Sequence, residues 1–235
     1  GQIIDIGFFF LFLDEHIVLK YFTGLSPVQK RQLGQMGDIY TEWNSKINVV
    51  SRKDMDNLYE HHVLHSLAIA RFLTFRPGTS ILDVGTGGGF PGIPLAVLFP
   101  QCQFVLIDSI GKKVKVAEAV AESLGLENVE TIHCNAKEER RKFDFVVSRA
   151  VMQANGLVDL VRKNILQDSS HDIPNGIICL KGGDLDDEAS QAMARLGTKR
   201  PDYPYLIEPI SQWFTEPFFE TKQVLYIPVG KAKKR

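Results

Sequence analysis

A chain of 235 residues, 44% of them hydrophobic, is long enough for one large domain with a small appendage and apolar enough to bury a substantial core. Lys and Arg number 27 against 28 Asp and Glu, a net charge of -1, so bulk electrostatics announces no nucleic-acid partner and any basic face must be local. The three cysteines, Cys102, Cys134 and Cys179, are odd in number, lack zinc spacing and sit in apolar runs, which suits buried free thiols in a reducing compartment.

The chain opens with Gly, and residues 1–15 read as an extension to which no role is assigned. Its run Phe8-Phe9-Phe10-Leu11-Phe12-Leu13 has no basic stretch before it and no small-residue cleavage site after it, and Asp5, Asp14 and Glu15 bracket it. That is too short and wrongly flanked for a signal peptide or a membrane span, so a cytoplasmic location without membrane contact is expected. Ser26-Pro27-Val28-Gln29 is a capping-box pattern that starts a helix, and Leu33, Met36, Tyr40 and Trp43 recur on one face of it. A second helix is predicted over about 54–75, with Leu58, His61, His62, His65, Ile69 and Phe72 as its stripe, ended by Arg76-Pro77-Gly78. Residues 16–76 therefore read as a helical subdomain and 77–235 as the main domain.

From Thr79 onward short apolar runs alternate with helical stretches, the pattern of a parallel sheet wound with helices. Strands are predicted at Ile81–Val84, Phe104–Ile107, Val129–His133, Phe145–Val147 and Ile177–Leu180. Tyr205–Pro209 and Val224–Val229 are joined by a loop too short for a crossover helix, so they read as an antiparallel hairpin. The expected fold is α/β: a mostly parallel seven-stranded sheet with a C-terminal antiparallel hairpin, preceded by the helical subdomain.

The stretch Ile81-Leu82-Asp83-Val84-Gly85-Thr86-Gly87-Gly88-Gly89-Phe90-Pro91-Gly92-Ile93-Pro94-Leu95 reads as strand, glycine turn and helix, with Pro91 suited to the first helical turn. The dinucleotide fingerprint GxGxxG fails at its third glycine, where Phe90 stands. A phosphate loop needs a lysine after the turn, and none occurs between Lys53 and Lys112. What fits is DxGxGxG (Asp83, Gly85, Gly87, Gly89), the spacing of S-adenosylmethionine (SAM) methyltransferases, in which glycines let the backbone pass close under the cofactor.

In a doubly wound sheet the ligand lies beyond the carboxyl ends of the strands, so each strand end can be read for chemistry. Asp108, 23 positions after Gly85, is placed to accept hydrogen bonds from ribose hydroxyls; a helix cap is compatible with the same role. Ala136 and Lys137 follow the third strand, where an adenine edge is held in such enzymes. The fourth strand ends Ser148-Arg149-Ala150, with neither the Asn/Asp-Pro-Pro-aromatic cluster of amine methylation nor a cysteine nucleophile for carbon methylation. A ring nitrogen with an in-plane lone pair, such as guanine N7, needs neither, because in-line positioning supplies most of the catalysis. Arg149 and Lys181 are read as cations that position substrate, with Arg149 also near the cofactor; a surface arginine and a plain turn are the bland alternatives. His61, His62 and His65 tempt a zinc reading, but the glutamate of the metalloprotease motif is missing, and no metal is expected.

Taken together, Asn48-Val49-Val50-Ser51, His62-Val63-Leu64-His65-Ser66, the glycine stretch with its trailing Pro-Gly-Ile-Pro-Leu, Asp108-Ser109 with Lys112-Lys113, Ser148-Arg149-Ala150 and Leu180-Lys181-Gly182 resemble the RsmG family, also called glucose-inhibited division protein B (GidB). The likeness spans roughly residues 20–230. It implies a Rossmann-like class I SAM-dependent methyltransferase that modifies guanine N7 in bacterial 16S rRNA, at position 527 of the 530 loop. It further implies SAM contacts from Gly85, Phe90, Ala136, Lys137 and Arg149. Asn48, Arg52, Lys53, His62, His65, Lys112, Lys113 and Lys181 are then expected around the RNA, and the protein is expected to act as a monomer. Two departures stand out: the family often has an aspartate where this chain has His65, and Gly-Pro-Gly is here Gly87-Gly88-Gly89, a change expected to loosen the turn. Methylation of a small molecule or a protein, and SAM binding without turnover, are the alternatives.

Overall fold

A computed structural model describes residues 15–149 and 152–233 of the chain. The extension before residue 15 and Ala150 lie outside the described residues. After a helical segment at 15–21, helix α1 spans Pro27–Lys46, and Ser26 caps it as the sequence predicts: its side chain accepts from the Gln29 amide while Gln29 reaches back to the Ser26 amide. Leu33, Met36 and Tyr40 face the core, with Trp43 half-buried beside the buried Asn44.

The predicted second helix is broken into three pieces. Ser51 caps a four-residue helix α2 (Arg52–Met55), a π turn follows over Tyr59–Leu64, and α3 runs from His65 to Phe72. The wide turn keeps Tyr59 inward, where its hydroxyl donates to the Leu33 carbonyl at 2.6 Å, while His61 and His62 stand on the open side. The element ends before Arg76 because Leu73 turns extended, sending Phe75 against Phe99 and Phe145.

Seven strands follow: β1 (Ser80–Val84), β2 (Gln103–Asp108), β3 (Val129–His133), β4 (Phe145–Arg149), β5 (Gly176–Gly182), β6 (Leu206–Pro209) and β7 (Lys222–Pro228). Their order is β3-β2-β1-β4-β5-β7-β6, with β7 antiparallel to both neighbours and the other pairs parallel. The hairpin expectation holds, with β7 inserted between β5 and β6. The chain builds outward from β1 to β3 and then returns to β4 on the other side, so the switch point lies between β1 and β4.

Period-two alternation decides which helices cover which face. Ile81, Phe104, Leu106, Phe145, Val147, Ile178 and Leu180 point into a core shared with α1, α3, α4 (Gly92–Leu98) and α5 (Gly111–Ser123). Leu82, Val84, Val105, Ile107, Val146, Ile177 and Cys179 point the other way, under α6 (Ala154–Val161) and α7 (Asp186–Leu196). Leu33, Met36, Tyr40, Val63 and Leu67 belong to the first of these cores, so the apolar packing runs across residue 76 without interruption. Cys102, Cys134 and Cys179 are free thiols, with Cys134 the half-buried one. No helix among the described residues is long and apolar enough to cross a membrane.

Candidate active site

The glycine turn sits at the switch point and is held from three sides. Below it, Asp83 is completely buried; its Oδ2 accepts from Thr86 Oγ1 at 2.7 Å and from the Gly92 amide at 2.8 Å. Burial pushes this carboxyl up to about 7, against the pull of those hydrogen bonds and of Arg149. Asp83 thus fastens the turn to the start of α4. Pro91 is the cap residue of that helix rather than its first turn, joined to Phe90 by a cis peptide bond.

From the sheet side, Asp108 Oδ2 accepts from the Gly87 amide at 2.8 Å and Oδ1 from the Ile110 amide at 2.9 Å. The carboxylate therefore sets the height of the loop and caps the segment leading into α5, and each oxygen keeps a further lone pair. From above comes a contact that sequence reasoning missed. Tyr40, fully buried on α1, donates its hydroxyl to the Gly88 carbonyl at 2.9 Å and stacks on Phe90 with ring centroids 4.8 Å apart. A Cβ on Gly88 would come within 3.0 Å of Val49, so the glycine in place of proline is where the helical segment seats on the loop. The expected loosening is corrected: the turn is clamped at this residue. Gly85, Gly87 and Gly89 all have positive φ, and the space over Gly87 is open.

These features fit SAM. An open-faced glycine, a carboxylate at the end of β2 and an aromatic ring at Phe90 are the groups needed for close backbone approach, ribose hydroxyls and an apolar flank. At the end of β3, Ala136 and Lys137 lie in a loop stapled from beneath. Lys163 Nζ donates to the carbonyls of Ala136 at 3.2 Å and Lys137 at 3.4 Å, and Asn164 Nδ2 to those of Glu139 at 2.8 Å and Arg141 at 2.9 Å. Nothing in the spacing of Lys163 and Asn164 signals that role, which depends on a turn after α6 reaching back under the loop.

Arg149, the last residue of β4, joins the loop to a second region. Its guanidinium lies 5.4 Å from the Phe90 ring centre, and Nη1 donates to His62 Nδ1 at 2.8 Å. Desolvation lowers its pKa, an effect that Asp83 opposes. Accepting from an arginine requires the His62 tautomer with its proton on Nε2. Burial, then Arg149, pushes His62 down to about 4 and the enclosed His65 down to about 3, so both imidazoles are neutral at pH 7. His65 lies against the edges of Phe218 and Phe219. It occupies the position where an acid was expected from the resemblance, and does so as a neutral, mostly apolar packing group.

His62, His65, Arg149 and Lys181 line one cleft of about 360 Å³ together with Asp54 and Lys222, within the size range of ligand sites. Lys181, expected as a cation that positions substrate, lines the cleft with its ammonium already paired. Its Nζ is 2.9 Å from Glu188 Oε2 on α7 and donates to the Met152 carbonyl at 2.8 Å, with the side chain only 10% exposed. The other expected RNA-facing residues lie apart from this cleft. Asn48 and Arg52 share a small hollow of about 250 Å³, and Asn48 also borders a basic depression with Lys112, Lys113, Lys46 and Lys115. Among the described residues, no group of three His, Cys, Asp or Glu side chains is placed to hold a metal.

Residues 29–200 match the profile of the GidB family, described as rRNA small subunit methyltransferase G. The chain is 56% identical over 214 residues to "Ribosomal RNA small subunit methyltransferase G" of Porphyromonas gingivalis, covering 91% of this chain and 93% of that protein. It is 55% identical to the protein of the same name from Phocaeicola vulgatus, covering 91% and 98%. Among solved structures, a ribosomal protein L11 methylase from Lactobacillus delbrueckii subsp. bulgaricus superposes with a TM-score of 0.52 at 18% identity, covering 71% of this chain and 77% of that one. A SAM-dependent methyltransferase from Aquifex aeolicus gives 0.51 at 14% identity, covering 70% and 89%. The chain belongs to the GidB family, the rRNA small subunit methyltransferase G proteins, and carries the Rossmann-like fold of the SAM-dependent methyltransferases.

Proposed function

We propose that this methyltransferase transfers the methyl group of SAM to N7 of the guanine at position 527 in the 530 loop of 16S rRNA. The observation that carries this reading is Arg149, which touches Phe90 of the glycine loop and His62 of the adjoining cleft at once. The names of relatives more than half identical over most of their length supply the substrate class. Bound SAM would supply an activated methyl on a sulfonium. Transfer to the N7 lone pair would break the methyl–sulfur bond with its electrons going to sulfur and would release no proton, so the residues of the chain would bind and orient rather than act as a base. That chemistry suits a cleft in which His62 and His65 are neutral at pH 7 and no cysteine is among the lining residues.

In this reading Asp83, Gly85, Gly87, Gly89, Phe90, Asp108, Ala136, Lys137 and Arg149 serve the cofactor. His62 fixes the orientation of Arg149 toward the base, while Lys181 acts by holding β5 to α7. The depression bordered by Asn48, Lys112 and Lys113 takes the phosphate backbone, and Arg52 lines the separate hollow that it shares with Asn48. The 16–76 segment acts as a subdomain that seats the loop, and the protein works as a cytoplasmic monomer. Incubation with methyl-labelled SAM and small subunits or 16S rRNA lacking the modification tests the reading, with label expected at guanine N7. Label absent from that nitrogen in every assembly state of the RNA overturns it.

A further inference from the structure

Cationic side chains border the cleft beside Arg149: Arg149 itself, Lys181 and Lys222. Asp54 is the one carboxylate among its lining residues. Ser51 caps α2 by accepting from the Asp54 amide at 3.1 Å, which aims the aspartate side chain over the π turn. There Oδ1 lies 3.4 Å from His61 Nδ1 and Oδ2 lies 4.0 Å from His62 Nε2. Both contacts are long, and the side chain is 43% exposed, so neither oxygen is saturated by protein donors. His61 stacks on Phe218 with centroids 3.9 Å apart and planes within 16°, giving the same cleft an aromatic wall.

We infer that Asp54 reads the acceptor base, its two oxygens receiving the N1–H and 2-amino hydrogens of guanine. This rests on the reading of the protein as a guanine-N7 rRNA methyltransferase. A guanine offers two adjacent donors on its pairing edge and two acceptors, O6 and N7, on the other. A carboxylate matches the first edge in bidentate fashion. A base gripped there turns N7 away from Asp54, toward the Arg149 side where the cleft meets the glycine loop, and leaves O6 to a cation such as Lys222. Adenine has an acceptor at N1 and nothing at C2, so it would leave the carboxylate facing a lone pair. The acid missing at position 65 is thereby supplied from position 54, on a different element but bordering the same cleft.

The test compares small subunits carrying guanosine or inosine at the target position, with labelled methyl transfer from SAM as the readout. Inosine keeps N7, O6 and N1–H and lacks the 2-amino group. Wild-type protein should methylate inosine about tenfold or more slowly, and Asp54→Asn should methylate guanosine about 100-fold more slowly with unchanged SAM affinity. The Asp54→Asn loss should be smaller on inosine than on guanosine, because part of the interaction is already gone, and Asp54→Glu should keep the guanosine preference. Equal wild-type rates on guanosine and inosine overturn the inference even if the variants fail to fold. So does an Asp54→Asn loss of the same size on both bases, as a purely structural role predicts. Wild-type protein that transfers no methyl to guanosine in any form of the RNA breaks the underlying reading and this inference with it; transfer indifferent to Asp54 breaks only the inference.

Discussion

The glycine loop and the histidine cleft meet at Arg149 and are built by opposite means. The loop is held by enclosed groups at short hydrogen-bond distances: Asp83 to Thr86 and Gly92, Tyr40 to Gly88, Asp108 to Gly87 and Ile110. The cleft is lined by titratable side chains from six separate elements, α2, the π turn, α3, β4, β5 and β7, gathered around Phe218. A rigid cradle can hold the methyl donor at a fixed place, since buried hydrogen bonds lose most when broken. A half-exposed cleft can admit a nucleotide from a large RNA. Changes to the loop should therefore abolish cofactor binding and stability together, and changes to the cleft should act on the acceptor while leaving the cofactor in place.

The strongest break is Gly89→Ala. At φ of +119° its Cβ would lie 2.8 Å from Ile93 and 2.9 Å from the Tyr40 hydroxyl, which should cost about 2–4 kcal/mol and eliminate measurable SAM binding; thermal melting and calorimetric titration read both. Arg149→Ala comes next. It removes a side chain that meets both regions, and methyl transfer should fall about 100- to 1,000-fold. The fall in kcat/KM should exceed the loss of SAM affinity, whereas equal losses would confine Arg149 to the cofactor.

Tyr40→Phe keeps the stack on Phe90 and deletes the hydrogen bond to Gly88, so it should cost about 1 kcal/mol of stability and weaken SAM several-fold without changing which base is methylated. The smallest effect is in pH dependence. His65 is held neutral when folded, with its pKa at about 3, while an unfolded imidazole titrates near 6.5. The unfolded chain binds the extra proton, so stability falls as pH drops below about 6.5 and goes on falling toward about 3. His62 acts in the same direction down to about 4, and Asp83, raised to about 7, acts in the opposite one above about 4. His65→Phe, which fits beside Phe218 and Phe219, should remove one histidine from this balance and flatten the acid limb of a stability-versus-pH curve by up to about 1.4 kcal/mol per unit.

The two regions also differed in how far the sequence exposed them. Asp83, the positive-φ glycines and Asp108 are written in contiguous, spaced residues whose types have few other uses, and the alternating strands told where that loop would sit. Tyr40 looked like one more apolar position on the α1 stripe, because periodicity reports that a side chain is buried and not what its hydroxyl meets. The π turn was hidden for a similar reason: a 3.6-residue period fits Leu58 through Phe72 well enough to conceal an inserted residue. The ion pair of Lys181 is not legible in the sequence because its partner Glu188 arrives from the next helix. Asp54 reads in the sequence only as the start of a helix, and it reaches the cleft because α2 breaks away before the π turn.

A comparison of 16S rRNA methylation between cells that have and lack this protein tests the central claim most directly, with the lacking cells also supplied with either the wild-type protein or Arg149→Ala. N7-methylguanine at position 527 should vanish without the protein, return with wild type and stay absent with Arg149→Ala. Its persistence in cells lacking the protein, with no other rRNA site changed, would contradict the account.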